Sequence, residues 1–353
     1  MIYPLIYSTT SEPAILHDTI VSIDDKFCYE PKYRDTSLLF INFRKGIYER
    51  LTGGWYAPLS NEIMLLWHPG KKVEINGVFN ENSIDYEAKG DEFNHDYSLI
   101  RRKTLKDLEK CKHIELQLDS SSYFGENNTL IDSLFAKRSA AMIPVRQAKV
   151  DYILNNPSKE LSGYYLSQSA LDTAAKYHIR LSPEVRNGIF GTLIDHQLNK
   201  YKKYTQVQEN KSKIQPGNAA PDFTLPAITG SPLSLYSVNA EFIVLDFWGS
   251  WCAPCISAMP KMKRYYQKYG KKAEFIGIAC NDTEKSWKKA VSDHQPEWPQ
   301  VINAGQDNVA VRYAVEAYPT KIIMDKNKTI IAVFQGEVND FYDKLNELFR
   351  ENH

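Results

Sequence analysis

The sequence predicts an α/β sandwich of about 140 residues in its C-terminal part, preceded by a small β-rich unit and a helical region. Three observations carry this. Strand and helix patterns alternate after residue 215, short strands with turn residues fill the first 90 positions, and helical spacing fills the middle third. The 353 residues are 43% apolar, enough for two or three domain cores. Lys+Arg and Asp+Glu both number 43, so no net field draws in nucleic acid or anionic lipid, and neither is a leading partner.

The β-rich unit is placed at residues 1–95. Runs at 37–43, 62–67 and 72–76 read as strands, with Pro69-Gly70 as a turn. From Asp96 the spacing becomes helical, through Leu99, Leu105 and Leu108 and then Leu130, Leu134 and Met142, until Asn155-Asn156-Pro157 breaks it. Residues 161–178 and 183–204 are expected as two further helices, Ser182 capping the second and Pro183 taking its first position. Residues 96–214 are therefore a helical region and linker. The polar end of this region, 200–213, has five lysines against one Glu and precedes Pro216-Gly217. It reads as a solvated helix end at the main domain boundary, since no aromatic-basic interleaving suggests a nucleic-acid patch.

Residues 215–353 form the α/β domain. The run 241–248 is apolar on both faces, as a central strand covered by helices requires. A helix is expected from Cys252, a buried strand at 273–279, a helix over 283–293 and a short one around 309–315. The stretches 320–324 and 329–334 make an antiparallel hairpin, and 339–349 a closing helix. No apolar run approaches the ~18 residues of a membrane helix. The first lysine is Lys26, behind an uncharged Tyr/Thr/Ser opening, so an export signal, if used, is expected to lie outside this sequence.

Five cysteines are too few and scattered for a disulfide scaffold; Cys28, Cys111 and Cys280 stand alone, and Cys252 and Cys255 form the one close pair. Two cysteines three apart at a helix start have Cα atoms roughly 5 to 6 Å apart, within disulfide reach. They can close and open without moving the fold. Cys252 sits where free N–H groups and the positive end of the helix dipole favour a thiolate, which makes it the attacking sulfur. Cys255, one turn in and expected to be more buried, would resolve a mixed disulfide. Pro254 fits the first turn. Zinc is a poor reading, because no second pair follows and Cys280 with His294 is a weak substitute.

The stretch Trp248-Gly-Ser-Trp-Cys-Ala-Pro-Cys255 resembles the active-site turn of the thioredoxin superfamily. With Ala220-Pro-Asp-Phe-Thr-Leu225, Gly230 and Leu233-Ser-Leu235, it resembles more specifically the TlpA/ResA-like thiol:disulfide oxidoreductases of the bacterial envelope, among AhpC/TSA-like proteins. The likeness covers about residues 215–353 and implies a thioredoxin fold. Pro260 stands where thioredoxins carry a helix-kinking proline, and Tyr318-Pro319-Thr320 where they carry the cis-proline whose loop docks substrate beside Trp251, Ala253 and Pro254. Asp246, six residues before Cys252, matches the buried aspartate beneath the second cysteine, the base expected to take the Cys255 proton. The glutamate that many relatives carry three residues after the second cysteine is here Ala258, leaving Asp246 to supply the carboxylate. Trp248 reads as core, and Cys280 as a buried hydrophobe rather than a third redox thiol. The first 214 residues resemble, more weakly, the accessory region before the thioredoxin domain in envelope proteins of gut-type bacteria.

The resemblance implies an enzyme that reduces disulfides of envelope proteins in the periplasm. It would be recharged by an upstream membrane electron donor and need no metal and no cofactor beyond the redox-active Cys252–Cys255 disulfide. A peroxidase is a poor reading, since Leu245 and Gly249 occupy the positions where peroxiredoxins need proline and threonine or serine. The alternative is a partner- or Cu(I)-binding module built on the two thiolates.

Overall fold

Strand residues apolar on both faces must be covered on both sides, and this requirement organises the two compact units, Met1–Tyr201 and Lys202–His353, of the computed structural model. The structure describes residues 2–8, 16–24, 26–31, 35–80, 83–305 and 308–349.

In the first unit, Ile2–Ser8 pairs antiparallel with Leu16–His17 and with Ser37–Phe43, which pairs in turn with Glu62–Trp67. On one face Leu38, Met64 and Leu66 pack with Phe93, Tyr164 and Phe190. On the other, Leu39, Ile41, Ile63 and Leu65 pack with Ile84, Tyr86 and Ala88 of the hairpin Glu74–Phe79/Ile84–Lys89. Helices follow from Glu92–Lys103, capped by Asp91, to Ile143–Asn155. The single helix expected over 161–178 is instead two, Glu160–Ser167 and Leu171–Tyr177. The Ser167 and Ser169 hydroxyls donate to the Tyr164 and Leu166 carbonyls there, so side chains compete with the backbone at the break. Likewise 183–204 is a turn, Pro183–Arg186, and then a helix, Gly191–Lys211, separated at Gly188. Ser182 caps the turn as its position suggests.

The second unit is built on β1 (Phe242–Trp248), followed by α1 (Ala253–Tyr269), β2 (Ala273–Ala279), α2 (Glu284–His294), β3 (Gln300–Ile302), β4 (Thr320–Asp325), β5 (Ile330–Gln335) and α3 (Asn339–Phe349). The sheet order is β3-β2-β1-β4-β5. The first three strands are parallel, and β4 and β5 are antiparallel additions. This is the expected thioredoxin fold. Alternation along β1 sends Ile243, Leu245 and Phe247 to a core with Val207, Leu235 and Val309. Val244, Asp246 and Trp248 share the opposite face, where Val244 meets Met262 of α1 and Phe341 and Leu345 of α3. The Asp222 carboxylate in the entry segment accepts from the Ser234 hydroxyl and the Tyr236 N–H. Among the described residues no helix is long and apolar enough to cross a membrane.

Candidate active site

β1 ends at Trp248, and the chain must turn at once to start α1; Gly249 makes that turn because a Cβ there would meet the Trp251 ring nitrogen and the Cys280 carbonyl. The Ser250 N–H and hydroxyl donate to the two oxygens of Asp282, at 2.7 and 2.6 Å, and hold the turn against the loop after β2. Cys252 is the N-cap of α1, its Sγ accepting from the Cys255 N–H at 3.3 Å, and Pro254 occupies the first turn, where its missing donor costs nothing.

Cys252 and Cys255 are joined in a disulfide with Cα atoms 5.3 Å apart. Both residues are 4% exposed, so the deeper burial expected for Cys255 does not appear while the bond is closed; both cysteines pack in one apolar cluster with Trp248, Met259, Ala279, Trp287 and Ile302. Ala253 and Pro254 are exposed at the rim. Trp251 is 54% exposed, donates its Nε1–H to the Cys280 carbonyl at 3.0 Å and stands edge-on to Tyr318 with ring centres 5.3 Å apart. The Tyr318-Pro319 bond is cis, with Pro319 buried. Tyr318 packs against the same apolar cluster as the disulfide. Cysteines, tryptophan and the cis-proline loop thus meet at one end of the sheet.

Trp248 is buried and donates to the Gln300 side chain at 3.1 Å. Cys280 is fully buried, and burial pushes its thiol up to about 12, hydrogen bonds with Tyr318 and Asn303 opposing. It has no thiolate to offer at neutral pH. Ala258 is buried in α1, and no carboxylate stands at that position.

Asp246 is buried on the face of β1 that α1 covers. Its Oδ1 makes no hydrogen bond among the described residues. Burial raises the carboxyl above its ordinary range, with the Lys321 ammonium lowering it and Glu337 raising it further. Such a group takes a proton more readily than a free carboxylate. Three residues here escaped the sequence reading. Asp282 had no signal, but Lys321 had one: a lone charge inside the apolar run 320–324. Glu337 bonds Lys321 at 2.7 Å. Among the described residues no group of three or more His, Cys, Asp or Glu side chains could hold a metal ion.

The AhpC/TSA family model matches residues 216–333. The chain is similar to the thiol-disulfide oxidoreductase ResA of Bacillus thuringiensis (strain Al Hakam), 32% identical over 129 residues, which covers 36% of this chain and 74% of the relative. It is similar to the thioredoxin-like protein YneN of Bacillus subtilis (strain 168), 30% identical over 141 residues, covering 39% of this chain and 80% of that one. A solved thiol-disulfide oxidoreductase from Bacteroides fragilis NCTC 9343 is 29% identical, covers 37% of this chain and 100% of its own, and superposes with a TM-score of 0.35.

Proposed function

Because the chain belongs to the ResA/TlpA-like, thioredoxin-fold thiol-disulfide oxidoreductases, we propose that it reduces disulfides of protein substrates outside the cytoplasm through Cys252 and Cys255. The observation that carries this reading is the disulfide closed at the first turn of α1, beside the cis-proline loop and above the face of β1 that holds Asp246.

In the reduced protein the N-terminus of α1 favours a Cys252 thiolate. This thiolate attacks one sulfur of the substrate disulfide; a bond forms between Cys252 and that sulfur, and the other substrate sulfur leaves as a thiolate and takes a proton from solvent. Asp246 then accepts the proton of Cys255, directly or through one water. The Cys255 thiolate attacks the Cys252 sulfur, the second substrate thiolate is expelled, and two electrons have passed to the substrate. Trp251 and Tyr318, which form a wall beside the pair, dock the substrate chain together with Ala253, Pro254 and Pro319. A donor of electrons at the membrane would reopen the Cys252–Cys255 bond after each turnover.

The test is insulin disulfide reduction. Wild-type protein is expected to catalyse it and Cys252→Ser to lose it, whereas full activity in the variant overturns the assignment. The potential of the couple decides direction: a value near about −270 mV marks a reductant, and one near about −120 mV would reverse the proposed flow.

A further inference from the structure

Asp246 and Lys321 are directly opposed across the antiparallel β1–β4 pair, so their side chains emerge on the same face of the sheet. Lys321 is 1% exposed at its side chain, and its Nζ lies 3.8 Å from the unbonded Oδ1 of Asp246. The same ammonium donates to Glu337 at the shorter distance of 2.7 Å. Glu337 is itself fixed. It accepts from the buried Tyr342 hydroxyl of α3 at 2.5 Å, and the preceding Gly336, at φ +78°, donates its N–H to the Pro319 carbonyl at 2.7 Å. The Lys321 ammonium lies over the Phe341 ring, its Nζ 5.4 Å from the centre. A lysine buried within ion-pair distance of an aspartate oxygen that accepts no hydrogen bond, yet hydrogen-bonded to a different carboxylate, is what a site needs when the aspartate must change charge during turnover.

We propose that the Lys321–Glu337 pair is a positioning device for Asp246: Glu337 restrains the Lys321 ammonium short of hydrogen-bond contact, and this sets how readily Asp246 takes the proton of Cys255. This inference rests on the exchange chemistry assigned above. Removing Lys321 takes away the charge that lowers the Asp246 carboxyl and leaves burial to raise it further; removing Glu337 frees the ammonium to pair more closely with Asp246 and lowers the carboxyl. Among the described residues Tyr342 of α3 and Cys280 at the end of β2 also interact electrostatically with the carboxylate, and α1, which carries Cys255, covers the same face of β1. Gly277, opposite Asp246 on β2, brings no charge.

The experiment follows resolution of a mixed disulfide in the full chain carrying Cys28→Ser, since Cys28 is an exposed free thiol. Reduced protein is mixed with the chromogenic disulfide dithiobis-nitrobenzoate. Coloured thiolate is released first when Cys252 attacks and again when Cys255 resolves, and the second phase is recorded against pH. Lys321→Met is expected to slow that phase about tenfold at neutral pH and move its midpoint to higher pH. Glu337→Gln is expected to move the midpoint to lower pH. In an Asp246→Asn background neither change is expected to shift it. Opposite shifts in the two variants, both abolished by Asp246→Asn, are not produced by a structural role. Midpoints that stay with wild type, move in the same direction, or persist without Asp246 overturn the inference. If Lys321→Met does not fold, Glu337→Gln decides alone, because Glu337 lies at the edge of the network with its side chain 25% exposed. A wild-type protein that shows no second phase would instead overturn the exchange chemistry itself.

Discussion

At the scale of single residues, the proposed mechanism gives the two cysteines separable jobs although the closed bond buries them equally. Cys255→Ser is expected to retain the first attack and lose the second, so insulin remains covalently attached at Cys252 and appears in the mass spectrum as an adduct; free protein with normal turnover would contradict the division of labour. Asp246 gives a prediction about stability. Its folded-state carboxyl is raised by burial, so the unfolded chain releases the proton at lower pH than the folded one. Stability is then lost as pH climbs from the ordinary carboxylate range through the raised folded value, and the loss stays constant above it. Asp246→Asn removes the ionising group. It is expected to raise the thermal midpoint of the C-terminal unit by a few degrees at pH 8 and to change it least in acid, as calorimetry at several pH values will show. The more stable variant is also expected to be the slower enzyme, because the burial that destabilises the carboxylate makes it a base.

At the scale of elements, β2 is shaped by what lies beside it. A Cβ on Gly277 would sit 2.2 Å from the Gln300 Oε1, the atom that accepts the Trp248 Nε1–H. Gln300 is buried and cannot swing away freely. Gly277→Ala is therefore expected to cost about 1–3 kcal/mol by overpacking and to shift Trp248 emission, both read in one thermal melt followed by fluorescence; an unchanged midpoint and spectrum would show that the amide has room to move. The elements legible in the sequence were those whose burial is written in their own residues. Strands 242–248 and 273–279 are apolar on both faces, and 339–349 carries Phe341, Leu345 and Phe349 at helical spacing. The break at 168–170 was not legible, because serine hydroxyls bonding back to their own helix leave the apolar spacing intact. The site divides in the same way. The Cys pair and its cap position follow from local spacing, and Asp246 was reached through resemblance alone. Asp282, Lys321 and Glu337 act through pairings across the sheet or to a loop, which no window of sequence displays.

At the scale of the whole molecule, the Cys252–Cys255 disulfide and the side chains packed around it lie in one of the two units. The cores that hold the site draw on residues from Val207 to Phe349, all within Lys202–His353. The end of the helix Gly191–Lys211 belongs to that unit as well, since Gln208 and Lys211 bond Glu316 and Asn210 bonds the Val311 carbonyl. A domain with its own core, to which the end of the entry helix contributes, has what it needs to fold alone. Residues 202–353 on their own are therefore expected to form the Cys252–Cys255 disulfide and to reduce insulin at a rate within about twofold of the full chain, since a small generic substrate engages the turn and the cis-proline loop and little else. A fragment that begins at 215 omits Val207, Asn210 and Ile214 and is expected to melt several degrees lower. If the 202–353 fragment folds, as its circular dichroism and melting curve will show, yet has lost insulin reduction, then residues 1–201 contribute directly to the chemistry, and the site is larger than the turn at the start of α1.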